Sequence, residues 1–115
     1  AEDAVISYYL ALNDRDLPGA FALLVPDEQL SYASWAVGYA TTIQVRVGSV
    51  QPISASVTET SARVSAMVTS WDNEGGTIVG RLWNVEWATV RTSEGWRLSS
   101  STAERLEEWP VMLWP

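Results

Sequence analysis

The chain has 115 residues, a net charge of −7, and neither cysteine nor histidine. That length suits one domain, which can bury roughly two-thirds of its unfolded surface without a covalent staple. The composition excludes disulfides and thiol catalysis, and it removes the commonest neutral-pH base and metal ligand.

The seven basic residues are all arginine, scattered from Arg15 to Arg105. Phosphate recognition needs a basic patch, so nucleic acid is not an expected partner. No apolar run reaches the length of a membrane span, and no insertion is expected. Seven tryptophans are many for this length; beyond a core they suggest a ligand pocket or an interface. The sequence opens at Ala1, which fits a processed or excised domain, cytoplasmic or exported.

Residues 3–13 read as a helix. Glu2 and Asp3 suit the positive end of its dipole, and Val5, Tyr8, Tyr9 and Leu12 recur at i, i+3, i+4, i+7 to form one apolar face. Asn13-Asp14-Arg15 ends it, with Arg15 expected in solvent. Asp16 is placed to cap a second helix, with Pro18 in its first turn and Pro26 stopping it. Residues 27–33 suggest a further turn. Ser34 is placed to cap a third helix through Trp35, Val37 and Tyr39.

From Ile43 the period becomes two. Ile43, Val45 and Val47 alternate with Gln44, Arg46 and Gly48, and pairing is expected to continue to about Thr58, with Pro52 at a bulge or edge. After a turn at Glu59-Thr60-Ser61, residues Ala62, Val64, Ala66 and Val68 share one face. Asp72-Asn73-Glu74-Gly75-Gly76 reads as a hairpin, and a long strand covers about 77–91. Ser93-Glu94-Gly95 makes another hairpin into a last strand ending near Thr102. One domain, 1–103, is followed by an apolar tail, 104–115, expected to pack on the sheet or on a partner.

Both phases of the long strand mix bulky and polar residues: Arg81, Trp83, Val85, Trp87 and Thr89 on one, Ile78, Gly80, Leu82, Asn84, Glu86 and Ala88 on the other. A sheet with one solvated face alternates more cleanly. The expectation is a sheet covered on both faces, with a bulge that swaps the phases as the rival explanation; which phase points inward stays open. Glu86 is the leading candidate for a buried carboxylate, paired with Arg46, Arg63 or Arg81.

Helices before antiparallel strands define an α+β class. Tyr8-Tyr9-Leu10-Ala11-Leu12-Asn13 with the corner running through Asp16-Leu17 resembles the opening of the nuclear-transport-factor-2-like superfamily. Residues 34–42 are similar to its third helix, and Trp87 through Leu98 to its closing hairpin. The resemblance implies helices packed in a curved sheet of four to six antiparallel strands, a cystatin-like cone. Ketosteroid isomerase, which shares that fold, holds an oxyanion-stabilising tyrosine at the position of Tyr8. Its aspartate base has no counterpart in Pro26-Asp27-Glu28-Gln29, and its second donor none near Asn84 and Glu86. Asp14-Arg15-Asp16 matches the epoxide hydrolases of that fold only in local order.

The leading reading is therefore a non-catalytic binding or assembly domain, a homodimer or one half of a protein complex, associating through its sheet. Interface candidates are Trp71, Trp87, Trp109 and Trp114. One alternative is an isomerase or cyclase with Tyr8 as donor and a buried carboxylate such as Glu86. The other is a cone that binds a small apolar ligand without turnover, with Tyr9, Trp35, Tyr39, Trp83 and Asn84 as lining candidates. No metal site or cofactor is expected: acidic residues lack metal-loop spacing, and Gly75-Gly76 is no phosphate loop.

Overall fold

The computed structural model describes residues 1–27 and 29–111. Three helices, α1 (Glu2–Asn13), α2 (Leu17–Phe21) and α3 (Tyr32–Val37), precede four strands, β1 (Thr42–Pro52), β2 (Ser61–Glu74), β3 (Thr77–Thr92) and β4 (Gly95–Val111). The strands form an antiparallel meander in the order β1-β2-β3-β4, and the sheet does not close. This is the α+β architecture expected, at the lower end of the expected strand number.

The core lies between α1 and one face of the sheet. Val5, Tyr8, Tyr9 and Leu12 bury the predicted helix face against Val45, Val64, Ala66, Val68, Val85, Trp87 and Leu98. A side chain of this size contributes about 1.5–3 kcal/mol on full burial. The segment after α2 is tied in by its backbone: Leu98 N–H donates to Leu23 O at 2.8 Å and Val25 N–H to Leu98 O at 2.7 Å, a short parallel bridge to β4.

The corner after α1 is a latch. Asp16 caps α2, its Oδ1 accepting from Gly19 N–H at 3.0 Å. Asn13 Oδ1 accepts the Val45 N–H of β1 at 3.0 Å. Arg15, expected in solvent, is exposed yet takes a positive φ of 60° and donates from Nη1 to Tyr39 O at 3.0 Å and Thr42 O at 2.9 Å. Three side chains around one corner thus hold α2, β1 and the turn between α3 and β1.

Several boundaries differ from expectation. Ser31 rather than Ser34 caps α3, because its Oγ is the one placed to accept the Ser34 N–H, at 3.1 Å. α2 ends at Phe21, well before Pro26; in the segment before α3, Leu30 N–H donates to Asp27 O. Ile43 is 47 % exposed because a register shift between Thr42 and Gln44 turns it outward. β1 stops at Pro52, and a short 3-10 turn, Ser54–Ser56, follows. β4 does not end near Thr102. Residues 104–111, expected as a tail, extend it to pair with Ile78–Asn84. The charged run Glu104-Arg105-Leu106-Glu107-Glu108 carries no strand alternation; a 16-residue β3 imposes the pairing, because its backbone groups need partners along their whole length.

The two faces of β3 are now distinct. Arg81, Trp83, Val85, Trp87 and Thr89 share the helix-side phase; Asn84 and Glu86 lie on the other side. The strand does not swap phase. The extra residues at both irregularities, Leu106 and Ser99, belong to β4. The mixture arises because the sheet outruns the helices. The molecule measures 52 × 29 × 21 Å, and its radius of gyration, 14.9 Å, exceeds the roughly 13 Å of a compact chain this long. On the outer face Trp109 packs over Gly80 so closely that a Cβ there would lie 2.5 Å from the indole.

Removing the latch is expected to loosen β1. Asn13→Ala should cost about 1–2 kcal/mol, since it leaves the Val45 N–H unpartnered, whereas Asn13→Asp should cost less than half of that; urea denaturation of the two variants measures the difference.

Candidate functional site

The site grows from two adjacent tyrosines on α1. Consecutive helical residues point about 100° apart, so Tyr8 and Tyr9 reach different partners. Tyr9 Oη accepts the Trp87 indole N–H at 2.9 Å in the buried core. Tyr8 Oη lies 2.8 Å from Tyr39 Oη and accepts the Trp35 indole N–H at 3.3 Å. The rings pack as well as bond. Tyr8 stands edge-on to Tyr9 and Trp87 at centroid separations of 5.2 and 5.1 Å, and Trp35 contacts Tyr39 at 5.1 Å and Phe21 at 5.2 Å.

Burial pushes the hydroxyl pKa of all three tyrosines above the usual value near 10. For Tyr8, the neighbouring Tyr39 adds to the effect of burial. The phenols therefore stay protonated well above neutral pH, so each keeps a proton to donate as well as an oxygen that accepts. Tyr8 and Tyr39 together carry two hydroxyl protons, and one is used between them, so the pair keeps one to offer elsewhere.

Two hollows flank this cluster. The first, about 280 Å³, is lined by Tyr9, Tyr39, Trp83, Trp87, Ser70 and Asp72, with aliphatic groups from Leu12, Val45, Val68 and Val85. It lies where the helices stop covering the inner face. Trp83 donates its indole N–H to Ser70 Oγ at 3.0 Å, and Thr42 donates to Asp72 Oδ1 at 2.7 Å. The second hollow, about 240 Å³, shares Tyr39, Trp87 and Ser101 with the first and adds Tyr8, Trp35 and Asp27.

Beside the first hollow, Arg81 sits among carboxylates. It lies 2.8 Å from Glu74, 2.8 Å from Glu108 and 3.5 Å from Asp72, and is 15 % exposed. The guanidinium holds the Glu74 carboxyl below its usual range through a direct hydrogen bond. Among the described residues no group of three acidic side chains is arranged to hold a metal ion.

No protein-family model matches the chain, and no curated protein matches it.

Tyr9, Trp35, Tyr39 and Trp83 line the hollows. Asn84 does not: it is exposed on the outer face and belongs to a polar depression there with Ser65, Glu86 and Glu104. Glu86 is not the expected buried carboxylate. Its side chain is 38 % exposed and pairs with Arg63 on that same outer face, one strand across. Tyr8 and Glu86 therefore sit on opposite faces of β3, because strand alternation sends residue 86 away from its neighbours Val85 and Trp87. Trp87, expected at an interface, is 6 % exposed and belongs to the core, where Tyr9 satisfies its N–H. Trp71 and Trp109 are half-buried on the outer face beside Gly80, and Trp114 and Glu28 lie outside the described residues.

Ser70 and Asp72 were not foreseen as lining groups. The signal was present: they continue the inner phase of Ala62, Val64, Ala66 and Val68 by two steps. Asp27 is exposed, yet it borders the second hollow with Tyr8.

The raised tyrosines make stability depend on alkaline pH. Each is an acid whose folded pKa exceeds its unfolded one, so the folded state holds more protons. The associated stability is complete below pH 10 and is lost as pH rises through the folded values, by up to about 1.4 kcal/mol per pH unit for each group. Urea midpoints should fall steeply between pH 10 and 11, and Tyr8→Phe and Tyr9→Phe should each flatten that slope.

Proposed function

We propose that the chain is a non-catalytic binding domain of nuclear-transport-factor-2-like type, with the first hollow as its binding site. The observation that carries this reading is the hollow itself. Apolar and aromatic side chains form most of its wall, and a few hydrogen-bonding groups converge on it. Its size lies near the lower end of small-molecule sites, about 300 Å³. The superfamily resemblance is supported by the order of elements, helices before a meander, and by the corner latch.

The non-catalytic half of the reading rests on what the tyrosines face. Their hydroxyls engage one another and indole N–H groups. Acid–base turnover needs a proton acceptor poised against the donor. Glu86 points away from the cluster, and Asp27, which borders the second hollow, is exposed and directs one oxygen to the backbone N–H of Gln29, at 2.9 Å, rather than to a tyrosine hydroxyl.

A second reading, self-association through the outer face, is favoured by Trp71 and Trp109 flanking Gly80 where the sheet projects past the helices. Sedimentation velocity separates it: a dimer that Trp109→Glu dissolves supports it, and a monomer removes it.

The binding reading is tested with the neutral fluorescent probe N-phenyl-1-naphthylamine. Saturable one-to-one binding is expected. Ala103→Trp, which fills the hollow from an exposed position on β4, should weaken binding about tenfold or more while leaving thermal stability unchanged. Non-saturating emission, or binding indifferent to Ala103→Trp, would remove the hollow as a site.

A further inference from the structure

The first hollow is chemically one-sided. Four of its lining side chains, Tyr9, Tyr39, Trp83 and Trp87, are aromatic. Aromatic faces carry partial negative charge and attract cations within about 6 Å of the ring centroid. Among the described lining residues the one formal charge is the carboxylate of Asp72.

The nearby Arg81 does not reverse that sign. It is shared with Glu74 and Glu108, which it meets at 2.8 Å, and Asp72 is its most distant carboxylate, at 3.5 Å. Arg105 adds a second guanidinium, 3.6 Å from Glu108. Three carboxylates thus share two guanidiniums, and the group stays net negative. The whole chain, at −7, adds a field of the same sign.

We infer that this hollow selects a small organic cation, an alkylammonium whose apolar body lies against the aliphatic wall and whose charged head meets the rings and Asp72. The inference rests on the binding reading above and deepens it. An anion would meet the carboxylate and the ring faces, with Arg81 already engaged. A neutral ligand of the same shape would gain the apolar wall alone. The head group need not be dry: Thr42 already satisfies one oxygen of Asp72, and the other faces only the long Arg81 contact.

Three compounds of matched shape test this: choline, the neutral 3,3-dimethylbutan-1-ol and the anionic 3,3-dimethylbutanoate. Each is titrated against the intact chain while the indole N–H resonances of Trp83 and Trp87 are followed by NMR. Choline should move both and bind about tenfold tighter than the alcohol, with the acid weakest. Asp72→Asn should remove most of the preference for choline over the alcohol, without weakening the alcohol. Trp83→Ala should weaken choline about tenfold and Trp83→Phe much less, so that loss of the ring is separable from loss of fold.

Choline and the alcohol binding equally would overturn the cation inference while leaving the hollow as a binding site. So would tighter binding of the acid, or an unchanged preference in Asp72→Asn. If none of the three moves either indole, the inference falls; the neutral naphthylamine then decides separately whether the hollow binds at all.

Discussion

Three tyrosine hydroxyls and two indole N–H groups fix how far the helices extend over the sheet. Tyr9 to Trp87 joins α1 to the middle of β3, and Tyr8 to Trp35 and Tyr39 joins α1 to α3 and the segment after it. These are polar contacts inside an apolar layer. Each is worth only about 1 kcal/mol net when made, but leaving one of its groups buried and unpaired costs about 1–3 kcal/mol. The cluster therefore specifies position more than it supplies stability. Sliding α1 along the sheet would preserve much apolar burial and lose these pairings.

The consequence is an asymmetric molecule. Under the helices the inner face is filled by Val5, Tyr8, Leu12, Val64 and Leu98. Past Trp83 the same face is open, and its side chains become Ser70, Asp72 and Arg81. The hollow is the boundary between those halves. Its aromatic wall is the flank of the core, and its carboxylate belongs to the exposed extension. Core packing and ligand chemistry are thus joined in the same residues: Tyr9 and Trp87 do both.

Much of the fold was legible in the sequence because its signals are local. The helix face of α1 is a plain i, i+3, i+4 pattern, β2 alternates cleanly from Ala62 to Val68, and Gly75 and Gly76 take the positive φ angles, 63° and 91°, that a tight hairpin demands. What was illegible depends on where one element ends relative to another. Arg81 and Trp87 share a phase, yet one is beyond the helices and the other beneath them; no pattern within β3 distinguishes them. Glu86 looked buried for that reason. The extension of β4 through Glu108 was hidden because the backbone of β3, not the side chains of residues 104–108, calls for it. The site was half legible. The aromatic residues stood out by type, whereas Asp72 was obscured by its place in a turn-like Asp-Asn-Glu-Gly-Gly run.

Half-covering of the sheet is the claim on which the hollow, its chemistry and the corner latch all depend. Native-state hydrogen exchange along β3 tests it most directly, because one strand runs through both halves and its backbone hydrogen bonds are made throughout. Amides from Val85 to Val90 should exchange only on global unfolding, while those from Ile78 to Leu82 should open at lower free energy. Uniform protection from Thr77 to Thr92 would contradict the account, since it would mean that the projecting half is covered as firmly as the half beneath the helices.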